Sequence, residues 1–207
     1  MLLVESARAG ENIALSGGDS PGPAYDMAAE LEQDWSLARL WWGDERCVPP
    51  EDERSNYLLV KRTLLDRIEQ QPGEVHRVRG ELGGEAASAD YDRELEGVRL
   101  GLALQGVGPD GHTASLFPNA PTLEERERRA VVAPHEDVER VTMTLPMLSG
   151  AARVVFLVIG EPKAEAVKRA FAGEPDPATP ASLLRSEDGE TIVLLDRAAA
   201  AMLDNIG

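Results

Sequence analysis

Six short apolar runs constrain this chain more than any other feature: NIALS at 12–16, LARLWW at 37–42, RLGLALQ at 99–105, RVTMTL at 140–145, RVVFLVI at 153–159 and TIVLLD at 191–196. Several lack the polar alternation of a half-exposed strand, which is the pattern of strands covered on both faces. Amphipathic segments at 22–34, 55–69, 84–97, 161–172 and 197–204 lie between them. This alternation predicts an α/β fold with a largely parallel sheet. Ser55 is positioned to cap the helix over 55–69, and its leucines and Ile68 fall along one face. The segment GEPDPATPA at 173–181 reads as a loop, and TLEERERR at 122–129 as a charged helix.

With 207 residues and 43% hydrophobic content, the chain is expected to form one domain over 1–207. Its 21 basic residues stand against 37 acidic ones, a formal net charge of −16. That balance argues against a nucleic-acid partner, which requires clustered cations. An anionic substrate then needs a local basic pocket in a negative protein. Cys47 is the only cysteine, so an intramolecular disulfide and a cysteine zinc site are excluded, and a reducing cytoplasm fits. The N-terminal apolar run is interrupted too soon by Glu5 and Arg8 for a signal peptide, and no stretch reaches the length of a membrane span.

In open α/β sheets ligands bind beyond the carboxyl ends of the strands. Three strand ends are notable. SGGDSP, Ser16 to Pro21, is a glycine turn before a helix whose first N–H groups can hold an anion, although such turns are often empty. GDER, Gly43 to Arg46, places a guanidinium directly after two tryptophans, where it serves either as a solvated turn or as a clamp for phosphate or carboxylate. GVGPDGHTASLFP, Gly106 to Pro118, matches G-x-G-x-x-G, yet Pro118 stops any helix after about two turns and the dinucleotide reading fails on context. The loop leaves Asp110 and His112 held by glycines at the binding edge, a spacing that lets the carboxylate steer the imidazole. His76 is read as a surface or strand-end residue. His135 follows Pro134 and faces the same edge in one reading. Lys163 opens a helix, where a cation opposes the helix dipole, so it is either indifferent or kept for an anion. No G-x-S-x-G elbow and no metal-ligand spacing of the three histidines is present.

Taken together, ALSGGDSP, WWGDERCVPPEDERSNY, VHRVRGE, LQGVGPDGHTASLFP, RVTMTLPMLSGA, VIGEPKAEAV and LLDRAAAAML resemble the 6-phosphogluconolactonase family, within a wider group that includes glucosamine-6-phosphate deaminases. The resemblance spans about residues 12 to 203, and ASLFP and GDER are similar to the lactonases. It implies a three-layer α/β fold with helices on both faces of the sheet, no metal and no cofactor. The implied activity is hydrolysis of 6-phospho-D-glucono-1,5-lactone in the oxidative pentose phosphate pathway.

By that resemblance His112 is the general base on water and Asp110 orients it. The positions matching the substrate and phosphate site are Gly17, Gly18, Ser20, Asp44, Arg46, Gly108, Arg140 and Lys163. The implied partner is a small sugar-phosphate lactone, with no nucleic acid and no membrane. A monomer is expected, a weak homodimer being the alternative. Two departures stand out: fewer residues precede the ALSGG strand than in related chains, and Cys47 follows GDER where a larger residue is more usual. The rival functions are an amino-sugar-phosphate deaminase or isomerase, with Asp44 or Glu45 moving a C2 proton, and a sugar-phosphate sensor without catalysis.

Overall fold

The computed structural model describes residues 1–203. The chain opens with α1 (Leu2–Arg8), β1 (Asn12–Leu15), α2 (Gly22–Leu31), β2 (Arg39–Trp42) and β3 (Asp44–Arg46). It continues through α3 (Asn56–Thr63), β4 (Glu74–His76), α4 (Gly84–Glu94), β5 (Leu102–Gln105), β6 (Ala130–Ala133) and β7 (Arg140–Met143). It then forms α5 (Leu145–Ser149), β8 (Arg153–Val158), α6 (Ala164–Ala172) and β9 (Glu190–Leu195). Six strands make one sheet in the order β4-β2-β1-β5-β8-β9, every neighbouring pair parallel. The chain runs outward from β1 to β2 and β4, then returns to β5 and runs the other way. With right-handed crossovers this reversal puts α2 and α3 on one face and α4 and α6 on the other, and α2 packs against α3 accordingly. The expected three-layer α/β architecture is therefore observed.

A second, antiparallel sheet in the order β3-β7-β6 accounts for strands that the apolar pattern does not reveal. The run at 140–145 belongs to it and not to the parallel sheet. Gly43 is the crossing between the two sheets: its N–H donates to Leu15 O at 2.8 Å, and its carbonyl accepts from Met143 N at 2.8 Å. A Cβ there would come within 3.0 Å of Gln105 Nε2, so the crossing is closely packed against that side chain.

The ends of the two strands that lead into the site are closed by tyrosines from opposite faces. Tyr25 of α2 accepts from Ser16 N at 2.9 Å and donates to Ser16 O at 2.8 Å. Tyr91 of α4 does the same to Trp42, at 2.8 and 3.0 Å. Both rings are fully buried, so each hydroxyl satisfies a backbone pair that has no other strand neighbour at that point.

Several helical expectations differ from the structure. Residues 122–129 form only a short 3-10 turn at Pro121–Glu124. Beyond it the Glu125 carboxylate accepts the N–H groups of Arg126, Glu127 and Arg128, and Asp92 accepts those of Arg129 and Ala130. Side chains have taken the amides a helix would need. Residues 197–202 form turns, and the last residue of the helix expected over 197–204 lies outside the described residues. The helix expected over 22–34 stops at Leu31, where Glu32 turns extended and its carbonyl accepts from Trp35 Nε1 at 3.0 Å.

Removing one tyrosine hydroxyl tests the closure of the strand ends. Tyr91→Phe leaves both backbone groups of Trp42 buried without a partner, and a loss of about 1–3 kcal/mol in unfolding free energy is expected. Urea denaturation measures it, and an unchanged midpoint would show that water replaces the hydroxyl.

Candidate active site

Strands β1 and β5 are neighbours whose chains leave in opposite directions, which makes the crevice at their carboxyl ends the topological switch point. A cleft of about 120 Å³ opens there. Its lining includes Gly17, Gly18, Ser20, Asp44, Arg46, Gly108, His112, Arg140 and Lys163, all of which the sequence singles out. Asp110 stands behind His112.

The loop after β5 makes no helical turn. Gly108 N–H donates to His112 O at 2.8 Å and Gly111 N–H to Gly108 O at 2.9 Å, closing a tight ring of backbone. Gly111 holds φ at +98°, a conformation that other residues rarely adopt. A Cβ on Gly108 would overlap His112 Nδ1 and crowd Asp110 Oδ1. The imidazole thus lies directly on the glycine backbone.

Asp110 Oδ1 accepts from His112 N at 3.1 Å and meets His112 Nδ1 at 2.6 Å. Burial opposes ionisation of Asp110, but the His112 N–H and the imidazole outweigh it and hold the carboxyl below the usual carboxylate range. An ionised Asp110 places the proton of a neutral imidazole on Nδ1 and leaves Nε2 as a free base. Among the described residues Nε2 has no hydrogen-bond partner.

The segment after Gly111 is anchored by side chains. Ala114, with φ at 48°, lines the cleft in a left-handed conformation. Its strain is held by Leu116 N donating to Thr113 O at 2.9 Å and by Ser115, whose N–H reaches Thr142 Oγ1 at 3.3 Å. Ser115 Oγ donates to Asp44 Oδ2 at 2.5 Å, and Asn56 Nδ2 donates to Asp44 Oδ1 at 3.2 Å and to Asp44 O at 2.8 Å. Both oxygens of Asp44 are therefore engaged. Asn56, 2% exposed, also lines the cleft and was missed by sequence reasoning; its place inside SNY directly after the cap Ser55 is the signal that was available.

Glu45 turns the other way. Its carboxylate accepts from Arg46 N at 2.7 Å, Asn56 N at 2.8 Å, Tyr57 N at 2.8 Å and Ser55 Oγ at 3.0 Å. Burial pushes its carboxyl up, and these four donors pull it back. Ser55 also caps α3 as expected, accepting from Leu58 N at 3.2 Å.

Cations border the cleft on two sides. Arg46 and Arg140 are paired neighbours on β3 and β7, and the Nε of each is buried without a partner. Arg46 donates to Arg54 O. Lys163 comes from the end of β8, in the turn where Gly160 holds φ at +101°, and precedes α6. Among the described residues neither Arg46 nor Lys163 has an ion-pair partner, although the chain carries a net charge of −16. Uncompensated cations around backbone N–H groups at a helix N-terminus form an anion site.

The other singled-out residues fall outside the cleft. His76 ends β4 at the sheet edge, stacked on Trp41 at 3.9 Å and bound to Glu74 and Glu94. His135 stands beside Arg140 without lining the cleft. Burial and the charges of Glu139 and Glu45 push the Cys47 thiol up to about 11, which removes it as a nucleophile. Among the described residues no group of metal-ligating side chains is present, and no helix is long and apolar enough to cross a membrane.

Comparison with known proteins agrees with this geometry. The family model described as glucosamine-6-phosphate isomerases/6-phosphogluconolactonase matches residues 3–193. The 6-phosphogluconolactonase of Homo sapiens is 40% identical over 214 residues, covering 95% of this chain and 82% of the human protein. That of a Nostoc strain is 36% identical, covering 92% of this chain and 84% of its own length. The crystal structure of 6-phosphogluconolactonase from Thermotoga maritima superposes with a TM-score of 0.81 at 28% identity, covering 94% of each chain.

The contact between Gly108 and His112 gives a direct test of the loop. Gly108→Ala forces the imidazole off its seat, so the Nδ1 resonance of His112 is expected to lose the signature of a carboxylate partner in nitrogen NMR. A spectrum unchanged from the parent would show that the loop yields instead of the ring.

Proposed function

Because the chain belongs to the glucosamine-6-phosphate isomerase/6-phosphogluconolactonase family, we propose that it hydrolyses 6-phospho-D-glucono-1,5-lactone to 6-phospho-D-gluconate, with His112 as the base. The observation that carries the reading is the Asp110–His112 pair, with Nε2 free, inside a cleft where, among the described residues, Arg46 and Lys163 have no ion-pair partner. We assign Asp110 to orienting the imidazole. The lactone's phosphate is taken by Gly17, Gly18, Ser20, Arg140 and Lys163, with Arg46 shared between phosphate and sugar. We further infer one catalytic domain, supported by one continuous apolar core, acting in the cytoplasm as a monomer.

The steps follow from the tautomer. Nε2 takes a proton from water as the water oxygen bonds to the lactone carbonyl carbon, giving a tetrahedral oxyanion and an imidazolium steadied by Asp110. Collapse breaks the bond from that carbon to the ring oxygen, and the imidazolium returns its proton to the departing oxygen. The acid formed ionises in water. The N–H groups of Gly108 and Gly111 are already engaged within the loop, so the oxyanion draws its donors from elsewhere in the cleft.

The isomerase reading requires a carboxylate free to move a proton at C2. Asp44 is bound by Ser115 and Asn56 on both oxygens, and Glu45 faces away into the cap of α3. Neither is free for that task, and a hydrolytic water on His112 requires neither.

Loss of freshly made lactone, followed against its spontaneous opening, is expected to accelerate with the native chain and to fall by about 10²–10⁴ in kcat for His112→Ala, with the fold checked by circular dichroism. Arg46→Ala is expected to raise KM more than it lowers kcat. A native, folded chain that only matches the spontaneous rate would sink the lactonase reading.

A further inference from the structure

A second imidazole–carboxylate pair borders the cleft and takes no part in the steps above. On the loop joining β6 to β7, His135 Nδ1 bonds Asp137 Oδ1. The His135 ring lies 4.9 Å from the Phe117 ring, whose other neighbour is His112 at 5.2 Å. Arg140 rests against the whole group. Its guanidinium carbon is 5.4 Å from the Phe117 centroid, and one Nη is 3.4 Å from each ring nitrogen of His135. The same Nη is 3.5 Å from the Asp137 oxygen that His135 holds. Arg140 also lines the cleft, its side chain 12% exposed. One guanidinium is thus shared between the loop and the anion site.

The protonation state of His135 decides how it is shared. In the neutral ring, Nδ1–H donates to Asp137, and the Arg140 Nη, equidistant from the two ring nitrogens, rests on the face of an uncharged ring. In the imidazolium the ring itself is positive, and the guanidinium on its face meets a second cation. Asp137 is then drawn to the imidazolium and its hold on Arg140 weakens.

We propose that His135 is a positioning residue whose protonation turns Arg140 from the loop toward an anion in the cleft, through the Asp137 oxygen and the ring face that the two share. The inference rests on the reading that this cleft takes an anion. By linkage, an anion in the cleft must raise the proton affinity of His135 by the same factor that protonation raises anion affinity.

The groups facing His135 are Asp137 and Glu136 on its own loop, Arg140 from β7, and His112 across Phe117. Arg54, before α3, acts on Asp137 by its charge. Desolvation works against the Asp137 charge, but His135, the Val138 N–H and Arg140 outweigh it and hold the carboxyl at about 2. Asp137 therefore stays charged through the range in which an ordinary imidazole titrates.

Sulfate is the probe, because its charge is constant between about pH 5.5 and 8. Its inhibition of lactone hydrolysis is compared at about pH 6 and pH 8 for the native chain and for His135→Gln, and the His135 ring is titrated by NMR with and without saturating sulfate. Sulfate is expected to bind the native chain more tightly at the lower pH, with a ratio about 3-fold larger than in the variant. The His135 titration is expected to move up by the matching amount, about 0.5 pH unit. The NMR arm uses the native chain and does not depend on the variant folding. Equal ratios in the two proteins, or a His135 titration that sulfate leaves unmoved, overturn the inference while leaving the anion site intact. Sulfate that binds at neither pH overturns the anion reading of the cleft and this inference together.

Discussion

The carboxylate of Glu45, 3% exposed, is the joint on which the site depends. It sits at the first amides of α3 and binds the hydroxyl of the capping Ser55, so it satisfies orphan donors and meets the positive end of the helix dipole at once. This fixes β3 against α3. Successive side chains of a strand point to opposite sides, and with Glu45 committed to the helix, Asp44 and Arg46 both reach the cleft. The GDER stretch is a strand that uses one acid as its anchor and presents the residues on either side.

The electrostatic arrangement has a cost that the rest of the molecule must offset. Arg46 and Arg140 are direct cross-strand partners, and like charges opposite one another destabilise a sheet. Asp137 and His135 relieve Arg140 in part, while Arg46 has only a backbone carbonyl. Such an arrangement is tolerable where an anion completes it, and it agrees with a chain whose excess of acid otherwise covers the surface. Local cation density is separated from net charge, so a negative protein can still offer a negative substrate the cleft proposed for it.

Much of this was legible in the sequence because it rests on local rules. All six apolar runs are strands; burial leaves a direct mark on the composition of five of them, while β9, at the sheet edge, is only partly covered. The strands that escaped notice, β3, β4 and β6, are short, and β3 is polar because its residues serve the site instead of the core. The six-residue glycine pattern from Gly106 was readable as something other than a dinucleotide loop because Pro118 forbids the required helix. Two-residue spacing in a glycine turn allowed an Asp110–His112 contact without deciding it, and the structure supplies the contact. For Asn56 the sequence offered only its place in SNY after the cap Ser55; its burial against Asp44 depends on Gly17 having no side chain and on a helix cap formed far along the chain. Likewise, nothing local indicates that Glu125 and Asp92 remove the amides of a helix over 122–129.

The segment at 173–181, readable only as a proline-rich loop, explains how the loop histidine proposed as the base is held in place. Thr179 packs onto Gly111, leaving no room for a Cβ there. Ala181 N–H donates to Gly111 O at 3.0 Å. Arg169 of α6 ties the two segments together, with Nε at 3.3 Å from Thr179 Oγ1 and an Nη at 3.3 Å from Pro109 O. The turn that carries His112 therefore has a buttress on its outer side, and the prolines in that buttress reduce the freedom it would otherwise lose on folding. A general base must stay within hydrogen-bond reach of its water, and here the distance is kept by two irregular segments clamped to one another and not by a helix or a strand. The glycines allow the contact, the prolines stiffen it, and the imidazole is left with one free nitrogen facing the cleft.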